Sequence, residues 1–179
     1  MPTENERKYV LRPNTSKSTV ANICNNRVYH ICQGYLIATR GITVRVRSLS
    51  DSRCPDQFYF TLKVTTHNGR VVEIENPIDQ RDFLDLWDIC LNKLEKTRYK
   101  LNGKYKGWDI DFFRDHDNQT YFVMAECEMP EGQAAPVEIP AQIKDALLYE
   151  VPLNDCRFSS KLISDVRYAK RLLSEIKGD

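Results

Sequence analysis

The chain has 179 residues, 41% of them hydrophobic and 28% charged, with a formal net charge of +1. That length allows one domain with a substantial core over 1–179, and the near-balanced charge gives no global field to attract nucleic acid or an anionic membrane. No apolar run approaches the roughly 20 residues of a membrane-spanning helix, and the opening Met-Pro-Thr-Glu-Asn-Glu lacks a signal peptide's basic and apolar regions, so a cytoplasmic location is expected.

In chain order, residues 4–12 read as a strand, and Ser16 or Ser18 caps a short helical turn that Asn25-Asn26 breaks. A long strand over 27–38 follows, then Arg40-Gly41 as a tight turn into a strand over 42–49. A loop at 50–56 leads to a strand over 57–66, and the Asn68-Gly69 step turns the chain into a strand over 70–76. Pro77 ends that strand, and Asp79 caps a helix over 79–91 whose apolar side carries Phe83, Leu84, Leu86, Trp87, Cys90 and Leu91. Strands over 94–101, 105–114 and 119–128 complete an antiparallel meander. A loop covers 129–140, a short helical piece 141–149, and an amphipathic helix 160–176. Six cysteines show no Cys-x-x-Cys pair and no histidine at zinc spacing, so they read as reduced thiols used for packing.

Charged residues recur at every second position within these strands: Glu4-x-Glu6-x-Lys8, Arg45-x-Arg47, Glu73-x-Glu75, Lys96-x-Arg98-x-Lys100, Asp109-x-Asp111 and Glu126-x-Glu128. Residues two apart on a strand project from the same face, about 6.6 Å from each other. The positions between them are apolar almost throughout, as in Trp108, Ile110 and Phe112 around Asp109 and Asp111. Lys63 shares a face with Tyr59 and Thr61, while Phe58, Phe60, Leu62 and Val64 take the other.

Eight antiparallel strands can close into a barrel, which removes exposed edges. With the charged faces outward, the apolar stripes of the two longer helices have little to cover. With them inward, both helices can bury those stripes against the outer wall. The expected fold is therefore α+β: a closed eight-stranded antiparallel β-barrel with a charged interior and helices packed outside. Enclosed charges lose hydration worth several kcal/mol each, so the interior calls for a guest. A polyanion carried with divalent cations fits, because Lys and Arg grip phosphate oxygens while clustered carboxylates hold Mg²⁺ or Mn²⁺.

These residues resemble the CYTH superfamily, the triphosphate tunnel metalloenzymes, over almost the whole chain. Glu4-Asn5-Glu6-Arg7-Lys8 matches the family's Glu-x-Glu-x-Lys signature. Gln33-Gly34-Tyr35-Leu36, Val44-Arg45-Val46-Arg47, Thr61-Leu62-Lys63, Glu73-Ile74-Glu75-Asn76-Pro77-Ile78, Lys96-Thr97-Arg98-Tyr99, Gly107-Trp108-Asp109-Ile110-Asp111-Phe112, Ala125-Glu126-Cys127-Glu128 and Asp155-Cys156-Arg157-Phe158-Ser159 follow in the family's order. The wording is most similar to the short bacterial-type inorganic triphosphatases. Asp109 departs from a more usual Glu, Arg70 sits one residue nearer the Glu pair, and Ser160 replaces a frequent Asn.

The resemblance implies metal-dependent hydrolysis of a triphosphate, inorganic tripolyphosphate or a nucleoside triphosphate. A class IV-type adenylate cyclase, a thiamine triphosphatase and a non-catalytic polyphosphate-binding module are the alternatives. It implies that Lys8, Arg45, Arg47, Lys63, Lys96 and Arg98 bind substrate, and that Arg157, with Lys161, closes one mouth or ends a solvated helix. It implies that Glu4, Glu6, Glu126 and Glu128 hold one ion, Mg²⁺ or Mn²⁺, with Glu73, Glu75 and Asp111 serving a second. Lys8, Glu6, Glu75 and Asp111 are the groups assigned to catalysis, with the general base left open. The expected partner is a small-molecule triphosphate, with no nucleic acid or membrane; a homodimer is compatible with the sequence. Trp87 and Tyr99 are expected in helix-on-wall packing, and His30, His67 and His116 in turns or at the surface.

Overall fold

A computed structural model describes residues 5–24, 27–39, 41–68, 70–153 and 155–178. Glu4, the Asn25-Asn26 break, Arg40 and Gly69 lie outside the described residues. Among the described residues nine strands form one antiparallel sheet: β1 (Glu6–Leu11), β2 (Val28–Thr39), β3 (Ile42–Asp51), β4 (Cys54–Thr65), β5 (Val71–Ile78), β6 (Asn92–Lys100), β7 (Trp108–Arg114), β8 (Thr120–Glu128) and β9 (Leu147–Glu150). Their order across the sheet is β5-β4-β3-β2-β6-β7-β8-β1-β9. Among the described residues five α-helices accompany it, α1 (Lys17–Cys24), α2 (Gln80–Asp88), α3 (Ala141–Ala146), α4 (Ser160–Ile163) and α5 (Val166–Lys177), with two short 3-10 turns at Gly103–Tyr105 and Cys156–Phe158.

The sheet corrects the expected closed, eight-stranded barrel in two ways. Leu147–Glu150, expected as the tail of a helix, leaves α3 as a short strand and pairs with β1, Tyr149 opposite Val10. Among the described residues no ladder joins β5 to β9, so backbone hydrogen bonding leaves two edges. The sheet is nevertheless curled. Tyr35 of β2 lies within electrostatic reach of Lys8 of β1, four ladders away, where a flat sheet would separate the two strands by roughly 19 Å. Pro77 does not stop β5; it pairs with Tyr59 inside the strand, which an edge position permits because the missing N–H faces no neighbour.

Register fixes the two faces. Arg98 pairs with Asp111, Lys8 with Glu126, Gln33 with Arg47 and Arg45 with Thr61, so the charged positions of β1, β3, β6, β7 and β8 share the concave face. On the convex face, Tyr9, Leu11, Tyr99, Leu101, Trp108, Ile110, Phe112, Val123, Ala125 and Cys127 join Val20 and Cys24 of α1 and Ile143 and Ala146 of α3 in one buried cluster. Helix α2 covers another stretch of the convex face, where Phe83 meets Phe58 at 5.1 Å between ring centroids. Gly34 admits that helix: a Cβ there would stand 2.5 Å from the Cys90 Sγ and 3.1 Å from the Trp87 ring.

The C-terminal helix departs from its expected place. Its residues Ala169, Leu172 and Leu173, with Phe158 and Ile163, cluster with Val10, Tyr35, Leu94, Phe113, Phe122 and Met124. By register the β-strand members of that set continue the concave face beyond the charges. The terminal helices therefore floor one end of the cavity instead of lying on the outer wall. They are also two helices: Asp165 accepts hydrogen bonds from the amides of Arg167 (2.9 Å) and Tyr168 (3.1 Å) and starts α5 afresh.

Candidate active site

The charged side of the concave face holds two linked networks. In the first, Arg98 of β6 lies at the centre: its Nε donates to Asp111 Oδ1 at 2.7 Å, and its terminal nitrogens reach Asp111, Asp109 and Glu126 at 2.6, 2.9 and 3.0 Å. Lys96 Nζ donates to Asp111 Oδ2 at 2.6 Å. Lys8 Nζ stands 3.0 Å from Glu6 and 3.5 Å from Glu126. In the second, Arg45 pairs with Glu73 at 3.1 Å, and Arg47 with Glu75 at 2.6 Å. Thr61, fully buried, donates its hydroxyl to Glu75 at 2.9 Å. Lys63 lies opposite Glu73 in the β4–β5 ladder. The networks feel each other across the cavity, since Arg98 and Arg45 both act on Arg47.

Enclosure sets the electrostatics. Burial alone would lower the Lys8 pKa, but Glu126 and Glu6 outweigh it and hold the ammonium charged. Burial, with Arg45 beside it, lowers the Arg47 value despite Glu75. Burial also opposes ionisation of Asp111, yet Arg98 and Lys96 overcome it and push the carboxyl well below the usual range. Asp109 moves upward because burial exceeds the help from Arg98 and Lys100. Lys96, enclosed beneath Arg98, is lowered by burial and by that neighbour even though Asp111 binds it. The arrangement is over-supplied with donors: the Nε atoms of Arg45 and Arg47 are buried without any acceptor.

Not every expected site residue joins one constellation. Glu6, Asp109, Glu126 and Glu128, with Arg98, Asn5 and Gly107, line a pocket of about 170 Å³. Glu73 and Glu75, expected to serve a second ion, pair here with the β3 arginines. Asp111, also expected to serve a second ion, has no exposed surface and accepts from Lys96 and Arg98 on both oxygens. Arg157 pairs with Asp155 at 2.7 Å in a short turn before α4 and is half exposed, while Lys161 donates to the Ala38 carbonyl at 3.4 Å. Arg70 is exposed in the turn before β5. Trp87 stacks on Phe83 in α2, and Tyr99 meets Phe112 edge-on in the convex core.

Among the described residues, no three acidic, histidine or cysteine groups already converge on a single ion position. The pocket's chemistry still suits a hard divalent cation, because four carboxylates line it and the Asp109 Oδ1 is buried there with no hydrogen-bond donor. Asp109 itself was missed as a candidate ligand, although its alternation with Trp108 and Ile110 carried the signal.

No protein-family model and no curated protein matches the sequence. Among solved structures, the inorganic triphosphatase NE1496 matches at 25% identity with a TM-score of 0.58, over 92% of this chain and 95% of that one. A second structure, described as the hypothetical protein NE1496, matches at 25% identity and a TM-score of 0.55, over 90% and 97%. A putative adenylyl cyclase from Hippeastrum, described as having dominant triphosphatase activity, reaches 16% identity and a TM-score of 0.42 over 72% of this chain and 80% of that one, a likeness too remote to bear on function. The resemblance to the CYTH superfamily thus extends from the motifs to the fold.

Proposed function

We propose that this chain is a metal-dependent triphosphatase that hydrolyses inorganic tripolyphosphate to pyrophosphate and orthophosphate within the concave face. The observation that carries this reading is the pair of guanidinium Nε donors on Arg45 and Arg47, enclosed and without acceptors, on a fold similar to an inorganic triphosphatase. A triphosphate supplies many oxygens for those donors and for Lys96, Arg98 and Lys8. Spreading its charge over fixed cations is the main contribution a protein makes to phosphoryl transfer.

Glu6, Asp109, Glu126 and Glu128 would hold Mg²⁺ or Mn²⁺, which when bound neutralises phosphate charge and acidifies a coordinated water. Lys8, held charged between Glu6 and Glu126, is placed to orient the attacking water or a terminal phosphate oxygen. Glu73 and Glu75 fix the directions of Arg45 and Arg47, and Asp111 fixes Lys96 and Arg98, so that little reorganisation accompanies substrate binding. Attack of water on a terminal phosphorus breaks one bridging P–O bond, with pyrophosphate leaving.

Incubation of the purified chain with tripolyphosphate, ATP, GTP and thiamine triphosphate, each with Mg²⁺, Mn²⁺ or chelator, tests this directly. Orthophosphate release that is fastest from tripolyphosphate and stops on chelation is expected. Cyclic AMP with pyrophosphate from ATP would instead establish a cyclase, and no turnover on any of the four would refute the hydrolase.

A further inference from the structure

We propose that a groove outside the concave cavity, between the end of α2 and the start of α5, binds a small phosphate monoester with a flat, apolar body. The groove has a volume of about 350 Å³, within the range of small-molecule sites. It shares no lining residue with the two charged networks of the concave face. Its walls are mostly apolar, with Trp87 from α2, Leu94 from β6, Tyr121 from β8 and Val166 from α5. The Tyr121 hydroxyl donates to the Ile163 carbonyl at 2.9 Å, so the ring is what that residue can offer a ligand. Two cations, Arg114 and Lys93, enter this apolar setting.

Arg114 is the anchor. The β7–β8 ladder shifts register between Phe113 and Arg114, with Arg114 opposite Thr120 and Tyr121 left out of the pairing, and such bulges re-aim side chains. The Arg114 side chain is only 16% exposed, yet it holds one direct hydrogen bond, from Nη1 to Asn118 Oδ1 at 2.8 Å. Its Nη2 stands 3.9 Å from the Glu95 carboxylate, beyond hydrogen-bond reach, and its Nε is buried with no acceptor. Nε and Nη2 together form a guanidinium edge that can take two oxygens of one phosphate. Lys93 adds a second charge: its Nζ lies 5.2 Å from the centre of the Trp87 ring, and among the described residues no carboxylate pairs with it. Asp115 is engaged in its own turn, accepting from the amides of Asp117 and Gln119 at 3.1 and 2.9 Å. The groove's basic groups are thus less satisfied than its acidic ones, and two cations match the charge of a phosphate monoester. A flat body would take the half-buried Trp87 ring and its apolar neighbours out of water.

The test titrates the full chain with phenyl phosphate and, for comparison, with inorganic phosphate, read by calorimetry and by tryptophan fluorescence. Phenyl phosphate should bind saturably and about tenfold or more tighter than inorganic phosphate, because the ring adds apolar burial. It should also change the fluorescence, and the change should vanish in Trp87→Phe, since Trp108 is enclosed in the convex core. Arg114→Gln should weaken binding by about tenfold or more, the range for hydrogen bonds to a charged group. Lys93→Ala should weaken it by a smaller factor, and Arg45→Ala, in the concave cavity, should leave it unchanged. Absence of saturable binding, equal affinity for the two probes, a fluorescence change that survives in Trp87→Phe, or a loss in Arg45→Ala equal to that in Arg114→Gln would each overturn the proposal. If Arg114→Gln does not fold, Lys93→Ala, whose side chain is exposed, decides: unchanged binding overturns the site and weaker binding supports it. None of these readouts requires turnover, so a failure of the triphosphatase reading leaves this test intact.

Discussion

Asp111 has no exposed surface, yet it is the anion on which Lys96 and Arg98 both depend. Enclosing three charges is expensive, and removing one partner of such a group typically costs about 3–5 kcal/mol because the remaining charges stay buried. Asp111→Asn should therefore destabilise the fold by about that amount, read as a shift in the chemical-denaturation midpoint. The sign with pH follows from the depressed carboxyl. Its stabilisation is complete above the ordinary value of 3.8 and is lost as pH falls from there through the folded-state value. Wild-type stability should fall steeply below about pH 4, whereas Asp111→Asn should show a flatter acid limb. An unchanged acid limb in the variant would remove Asp111 as the source. Spacing put Asp111 on the charged face, and the three-dimensional contacts add what spacing cannot show, that both of its oxygens accept from cations.

At the scale of elements, β7 and β8 carry three of the four carboxylates proposed for the cation, and Gly107 sets their relation. Its φ of +98° is one that side-chain-bearing residues rarely adopt. A Cβ there would lie 2.8 Å from the Glu128 carbonyl oxygen, while the Gly107 carbonyl accepts from the Glu128 amide at 2.9 Å. Gly107→Ala should cost about 2 kcal/mol or more from strain and overpacking together. Metal-dependent turnover should fall with it, because Asp109 and Glu128 lie at either side of this contact. Loss of stability without loss of turnover would separate the turn from the site.

The strands themselves were legible because a two-residue period survives in the sequence: Arg45-x-Arg47 and Asp109-x-Asp111 could only share faces. Three features were not. Leu147–Tyr149 is as apolar as a helix end, and its pairing with β1 is a long-range event. Asp165 lies inside a continuous apolar period, which hid its capping of a second helix. The stripe of α5 announces a buried face, but nothing in it says which side of the sheet it covers.

For the whole molecule, the open, curled sheet replaces the expected closed cylinder without altering the division of labour between its faces. Aromatic and aliphatic residues of the convex side pack under α1, α2 and α3, and the terminal helices floor the concave side. The charged residues occupy the remaining cavity. No helix of the described residues is long and apolar enough to cross a membrane. Donors on Arg45 and Arg47 and an acceptor on Asp109 are buried without protein partners, and a ligand that satisfied each would remove a penalty of about 1–3 kcal/mol. The most direct test is a crystal structure with tripolyphosphate and Mn²⁺, with the metal located by anomalous scattering. The triphosphate is expected along Arg45 and Arg47, and the manganese peak among Glu6, Asp109, Glu126 and Glu128. A triphosphate bound only on the outer surface, or a concave face empty at saturating ligand, would contradict the account.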